Sequence, residues 1–204
     1  MNQKTAEKYS RISHLYDTFE YPIERVLFQK LRTKAISYAQ KNTLEVGVGT
    51  GKNLPFYNPD IILKAIDFSS GMLKVAAHRK QKNVQVKHLQ LYKMDVQQLA
   101  FDSNSFNTVV STFVFCTVPD PIAGLKEVYR VLKPSGTAIF LEHMKSHYGL
   151  VNIPLFVMNV FSTRLLGTSM VRETQKNIEL VGFTIESVEK KALDIVRLII
   201  ARKT

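Results

Sequence analysis

The sequence predicts an α/β fold in which a mostly parallel sheet is covered by crossover helices, and three observations predict it. From Thr43 onward, short apolar runs alternate with amphipathic segments, the pattern of strands feeding helices. The first run, Leu44-Glu45-Val46, passes directly into a turn carrying Gly47, Gly49 and Gly51. The next two runs each end on an acid, Asp67 after Lys64-Ala65-Ile66 and Asp95 after Lys93-Met94.

The first forty residues read as helix, with Ile23, Val26, Leu27, Leu31, Ala35 and Ile36 at helical spacing and Arg25, Lys30, Arg32 and Lys34 between them. Two readings of this basic amphipathic segment stay open: a helix packed on the sheet with a solvated charged face, or one that touches lipid. Strands follow at Thr43 to Val46, Ile62 to Ile66, Leu89 to Lys93, Thr108 to Phe113, Gly136 to Glu142, Thr184 to Glu189 and Val196 to Arg202. Helices are expected at Gly51 to Phe56, Ser70 to Arg79, Pro121 to Leu132 and Glu173 to Val181. Pro119-Asp120-Pro121 supplies a cap and a first-turn proline for the third of these, and Lys133-Pro134-Ser135-Gly136 stops it.

A chain of 204 residues, 45% of them hydrophobic, suffices for one domain with a buried core. The expected division is an N-terminal helical lid at 1–42, a ligand-binding core at 43–142, and an acceptor-side insert with the last two strands at 143–204. The single cysteine, Cys116, excludes an internal disulfide and a cysteine-rich zinc site, and fits a reducing compartment. The N-terminus shows no secretory signal, so the expected home is cytoplasmic. The net charge of +11 attracts polyanions, both nucleic acid and anionic lipid. No apolar run reaches the roughly 18 to 20 residues of a membrane span.

The glycine turn carries the chemistry. A dinucleotide fingerprint would place its third glycine at position 52, which is Lys52; the glycines fall instead at 47, 49 and 51. Preceded by Glu45, this spacing resembles motif I of the Rossmann-like, S-adenosylmethionine-dependent methyltransferases. Asp67, 20 residues beyond Gly47, stands where a ribose diol would take two hydrogen bonds. Taken alone, it could instead cap the helix that follows. The resemblance implies that Asp95 accepts the adenine amino group, with Val96 beside it.

The later run, Phe106 to Phe113, Val118-Pro119-Asp120-Pro121 and Glu127-Val128-Tyr129-Arg130-Val131-Leu132-Lys133-Pro134-Ser135-Gly136, is similar to the subgroup of ubiquinone and menaquinone methyltransferases and small phospholipid N-methyltransferases. The resemblance covers about residues 43 to 142. It implies a seven-stranded sheet in the order 3-2-1-4-5-7-6 with helices on both faces, and S-adenosylmethionine bound through Glu45, Gly47, Gly49, Gly51, Asp67, Asp95 and Val96. A looser likeness, carried by Leu141-Glu142-His143, Arg172, Asn177 and Val181-Gly182-Phe183, points to bacterial phospholipid methyltransferases and membrane-associated thiol methyltransferases.

Ligands of this architecture bind at the carboxyl ends of the strands. His143 is the expected base or substrate ligand, with Tyr16 from the lid as its catalytic companion. Tyr9, Glu142, His147 and Arg172 are expected to bind substrate, Arg172 as an anchor for phosphate. A histidine at a strand end is also an ordinary structural residue. Tyr148 to Phe161 reads either as a crossover helix or as a greasy wall for an acyl chain. No metal site follows from the histidine spacing.

The expected activity is N-methylation of phosphatidylethanolamine, with peripheral contact at the inner face of an anionic membrane. Small thiols and quinone-type molecules are the alternatives. A nucleic-acid partner is not expected: such amine methyltransferases carry Asn- or Asp-Pro-Pro-aromatic after the fourth strand, where this chain has Phe113-Val114-Phe115-Cys116.

Overall fold

The computed structural model describes residues 28–83, 85–146, 148–149, 152 and 172–204. Seven strands form one sheet: β1 (Asn42–Val46), β2 (Ile62–Asp67), β3 (His88–Lys93), β4 (Phe106–Thr112), β5 (Leu132–His143), β6 (Phe183–Lys191) and β7 (Val196–Lys203). Their order is β3-β2-β1-β4-β5-β7-β6. The first five are mutually parallel, and β7 runs antiparallel to both β5 and β6. Among the described residues, four α-helices flank the sheet: α1 (Gln29–Ser37), α2 (Ser70–Asn83), α3 (Pro121–Val131) and α4 (Thr174–Val181).

The side-chain alternation of the strands sorts the core into two layers. Ala138, Phe140 and Ile199 point to the face covered by α3 and α4, where Leu125, Val128 and Ile178 meet them. Ile139, Leu141 and Leu198 point to the other face, against Leu31, Ala35 and Ile36 of α1 and Ala76 of α2. A sheet buried on both sides explains the near-continuous apolar runs that marked its strands in the sequence.

The caps of α3 act as expected. Asp120 accepts a hydrogen bond from the N–H of Ala123 at 3.0 Å and Pro121 occupies the first turn. The helix ends at Val131, and the chain is already extended at Leu132, four residues before the anticipated strand start. The register between β4 and β5 jumps there, from Phe106 opposite Leu132 to Thr108 opposite Thr137. A bulge thus absorbs the Lys133-Pro134-Ser135-Gly136 stop. Gly182 closes α4 with φ of 106°, donating its N–H to Glu179 at 3.0 Å.

Two sequence expectations need correction. The helix anticipated from Gly51 to Phe56 is a single 3-10 turn at Leu54–Phe56, because Gly51 has φ of 81° and Pro55 has no N–H to continue a ladder. Arg32, expected on a solvated charged face, is only 7% exposed. It lies three and four residues before the buried Ala35 and Ile36, so the helical period carries it to the apolar side. Among the described residues, no helix is long and apolar enough to cross a membrane.

Candidate functional site

The carboxyl ends of β1, β2, β4 and β5 converge, and the glycine turn leaves β1 among them. Gly47 and Gly49 both adopt positive φ, 65° and 55°. They do so for different reasons. A Cβ on Gly47 would lie 2.4 Å from Val114 Cγ2, so the turn is pressed against the loop after β4. A Cβ on Gly49 would meet nothing within 4 Å. The backbone at Gly49 therefore faces open space, as a cradle for an incoming ligand requires. Gly47→Ala should destabilise the protein by about 2 to 5 kcal/mol, from strained φ and overpacking together. Gly49→Ala should lose only about 1 to 2 kcal/mol of stability, from strain alone, yet impair ligand binding. Thermal melts paired with S-adenosylhomocysteine titrations separate the two effects; equal melting losses would contradict this division.

Asp67, at the end of β2, accepts from the N–H of Gly49 at 2.9 Å through Oδ2 and from that of Ser69 at 2.8 Å through Oδ1. The same carboxylate thus shapes the glycine turn and starts α2. Burial pushes its pKa up to about 6, against the lowering effect of those backbone N–H groups. Asp95 is half-buried after β3; its Oδ1 accepts from the N–H and the side-chain amide of Gln97, both at 3.0 Å. The Val96 side chain belongs to the core, which leaves its backbone as the part available to a ligand.

Glu45 lies inside β1, 1% exposed. Its Oε1 accepts from Asn53 Nδ2 at 2.7 Å, and its Oε2 is buried as well. The Tyr57 hydroxyl is buried beside this carboxyl and interacts with it. Burial drives the Glu45 pKa up to about 7, opposed by Asn53, Tyr57 and the Arg32 charge. A buried carboxyl at the end of β1 next to the open cradle at Gly49 fits the ammonium of an amino acid moiety.

Arg32 enters from α1. Its Nη1 donates to Asn53 Oδ1 at 3.1 Å and to Thr112 Oγ1 at 2.9 Å, and its guanidinium carbon lies 5.1 Å from the Phe113 ring centroid. Phe113 itself has φ of 59°, a conformation that a bulky side chain adopts at a cost and that clusters at functional sites. Its ring meets the imidazole of His143 at 4.5 Å, and Phe28 closes edge-on at 5.7 Å.

That setting changes what His143 offers. Burial drives its pKa down to about 4, with the Arg32 charge adding to the effect. The ring is neutral at physiological pH and holds a proton poorly, which suits a neutral wall better than a general base. Glu142, expected to bind substrate, is fully buried. Its Oε1 accepts from Ser111 Oγ at 2.8 Å and from the N–H groups of Val114 and Phe115 at 3.1 and 3.2 Å. Glu142 thereby fixes the loop that presses on Gly47, a positioning task. Arg172 donates to the Val118 carbonyl at 2.9 Å, tying the approach to α4 onto the same loop. Tyr9, His14, Tyr16, Asp17 and His147 lie outside the described residues, as does nearly all of the Tyr148 to Phe161 segment.

The structure brings Glu45, Asp67, Gly49 and His143 to one end of the sheet, and adds Arg32, Asn53, Thr112 and Phe113, which the sequence reading had not singled out. Fold and glycine turn together define a Rossmann-like methyltransferase. The methyltransferase-domain family model matches residues 44–140. The chain is 30% identical over 178 residues to thiol S-methyltransferase TMT1B of Homo sapiens, covering 82% of this chain and 70% of that protein. It is 35% identical over 106 residues to phosphatidylethanolamine N-methyltransferase of Cereibacter sphaeroides, covering 52% of each. It is 32% identical over 144 residues to demethylmenaquinone methyltransferase of Staphylococcus epidermidis, covering 69% of this chain and 57% of that one. The matched region is thus about half the length of the phosphatidylethanolamine enzyme and under two thirds of the menaquinone enzyme. A crystal structure of an S-adenosylmethionine-dependent methyltransferase from Thermotoga maritima shares the fold, with a TM-score of 0.73 at 19% identity, covering 97% of this chain and 99% of that one.

The chain belongs to the class I S-adenosylmethionine-dependent methyltransferases. Its family implies S-adenosylmethionine as methyl donor and a small-molecule acceptor.

Proposed function

We propose that the protein methylates a small thiol, holding S-adenosylmethionine in the glycine cradle. The buried Glu45 carboxyl and the open space at Gly49 support this cofactor site. Glu45 would take the ammonium, Asp67 the ribose diol, and Asp95 with the Val96 backbone the adenine. When bound, S-adenosylmethionine supplies an electrophilic methyl on a sulfonium for in-line displacement. The acceptor thiol would give its proton to solvent, and its thiolate sulfur would then bond to that carbon as the sulfonium C–S bond breaks, the bonding pair remaining on the donor sulfur.

The observation that carries the thiol reading is the neutral His143 ring held between Phe28 and Phe113, with its pKa pushed to about 4. An alkylamine costs roughly 4 to 5 kcal/mol to present as free base at neutral pH, whereas a thiol costs only about 2. An aromatic wall with a weakly basic imidazole orients and dries the acceptor, and for a thiol that suffices. The 82% of this chain matched by the human thiol enzyme supports the same reading.

Phosphatidylethanolamine N-methylation at an anionic surface is the second reading, favoured by the net charge of +11 and by the phosphatidylethanolamine methyltransferase relative. Transfer of labelled methyl from S-adenosylmethionine, run in parallel on a small alkyl thiol and on phosphatidylethanolamine vesicles, decides between them. Label on the thiol is expected. Label in the lipid fraction alone would reverse the order, and label in neither would bring quinone-type acceptors forward.

A further inference from the structure

We propose that Gln97 is a positioning residue for the methyl donor: its side-chain amide aims the Asp95 carboxylate at the adenine amino group and ties it to the loop that opens α3. The inference deepens the assignment of Asp95 to the adenine and rests on that reading.

Three features carry it. First, the amide is engaged at both ends. Its Nε2 donates to Asp95 Oδ1 and Oδ2, each at 3.0 Å, and its Oε1 accepts from the N–H of Asp120 at 3.0 Å. Second, the backbone N–H of Gln97 donates to the same Asp95 Oδ1 at 3.0 Å, so one residue grips the carboxylate from two directions. The terminal torsion of an aspartate is soft, and this fork fixes its plane. Third, the far end of the bridge is firm. Asp120 caps α3 at Ala123, and the segment after β3 is fastened to that helix twice more: the Leu99 N–H donates to Glu127 Oε2 at 2.7 Å, and Arg130 donates to the carbonyls of Leu99 and Phe101 at 2.9 and 2.8 Å. Gln97 extends this clamp to Asp95.

A carboxylate held in one plane accepts from a donor that arrives along a set direction. The exocyclic amino group of adenine is such a donor, whereas a 6-oxo purine would turn a carbonyl oxygen toward Asp95 and leave acceptor facing acceptor. By aiming Asp95, Gln97 sharpens the choice of base without itself having to touch the ring.

The test compares S-adenosylhomocysteine with S-inosylhomocysteine, whose base carries a carbonyl in place of the amino group, by calorimetry on the full chain. Gln97→Met keeps the side-chain length and removes both polar ends. It should weaken S-adenosylhomocysteine binding about threefold to tenfold, the worth of one well-aligned hydrogen bond, and leave S-inosylhomocysteine unchanged. In an Asp95→Ala background the same substitution should alter neither affinity, because the group it aims is gone. Gln97→Asn, whose shorter amide cannot span both partners, should show the same selective loss with a less drastic change. S-inosylhomocysteine bound at wild-type strength also shows that a variant is folded. Unchanged affinity for both ligands, equal losses of both, or a loss that persists undiminished in the Asp95→Ala background would overturn the proposal and leave Gln97 a brace for α3. Absence of S-adenosylhomocysteine binding by the wild-type chain, or its full retention by Asp95→Ala alone, would instead overturn the adenine assignment and the proposal with it.

Discussion

Replacing Asp67 by alanine is expected to weaken S-adenosylhomocysteine binding about tenfold to a hundredfold, as the loss of hydrogen bonds to a buried diol predicts. The effect has two sources. The variant removes the acceptor for the ribose, and it releases the Gly49 N–H that Asp67 holds at 2.9 Å, so the cradle itself loosens. Asp67→Asn separates them: the side-chain oxygen can still accept from the backbone, but only one acceptor remains where the carboxylate has two. An intermediate loss is therefore expected, measured by calorimetry at fixed pH. Unchanged affinity in both variants would remove Asp67 from the site.

A large effect on stability is expected at Glu142. Alanine there leaves the Ser111 hydroxyl and the N–H groups of Val114 and Phe115 without their acceptor, a loss of about 3 kcal/mol or more in total. The consequence reaches the site, because Val114 is the residue packed on Gly47. Glu142→Gln keeps an acceptor at Oε1 and should fold well. It also reports the buried charge. Burial raises the Glu142 pKa from 4.5 to about 7, so between those values the folded state holds a proton that the unfolded chain has released. Stability from this group is present at low pH and is lost as pH rises from about 4.5 to 7. Glu45 and Asp67 act in the same direction, while His143, lowered to about 4, acts in the opposite one. Glutamine removes only the Glu142 share. Its stability relative to wild type should therefore improve with rising pH, by up to about 3 kcal/mol, in denaturant titrations at pH 5 and pH 8. A difference independent of pH would show that Glu142 titrates normally.

Much of this was legible in the sequence, where local chemistry and burial pattern agreed. The strands were visible because a sheet covered on both faces needs apolar residues in succession, and α3 because Asp120 and Pro121 punctuate it. The turn at Gly51 was misread as helix, since a glycine and a proline four residues apart permit either a helix start or a 3-10 turn. Arg32 was missed for a different reason. Its charge suggested solvent, although its spacing to Ala35 and Ile36 placed it on the buried face. The signal was present and outweighed. The positive φ of Phe113 and the Asn53 bridge left no trace in spacing, because both depend on tertiary contacts across β1, β4 and α1. His143 was legible as a candidate by its place at a strand end, but its weak basicity comes from burial and from the Arg32 charge, distant in the chain.

The most direct test of the account is a calorimetric titration of the full chain with S-adenosylhomocysteine at pH 6, 7 and 8. One saturable ligand per chain is expected, with affinity rising over this range as the Glu45 carboxyl, its pKa pushed to about 7 by burial, ionises to meet the ammonium. Proton release on binding should appear at pH 6 as a dependence of the heat on the buffer. Absence of binding, or an affinity that falls as pH rises through 7, would contradict it.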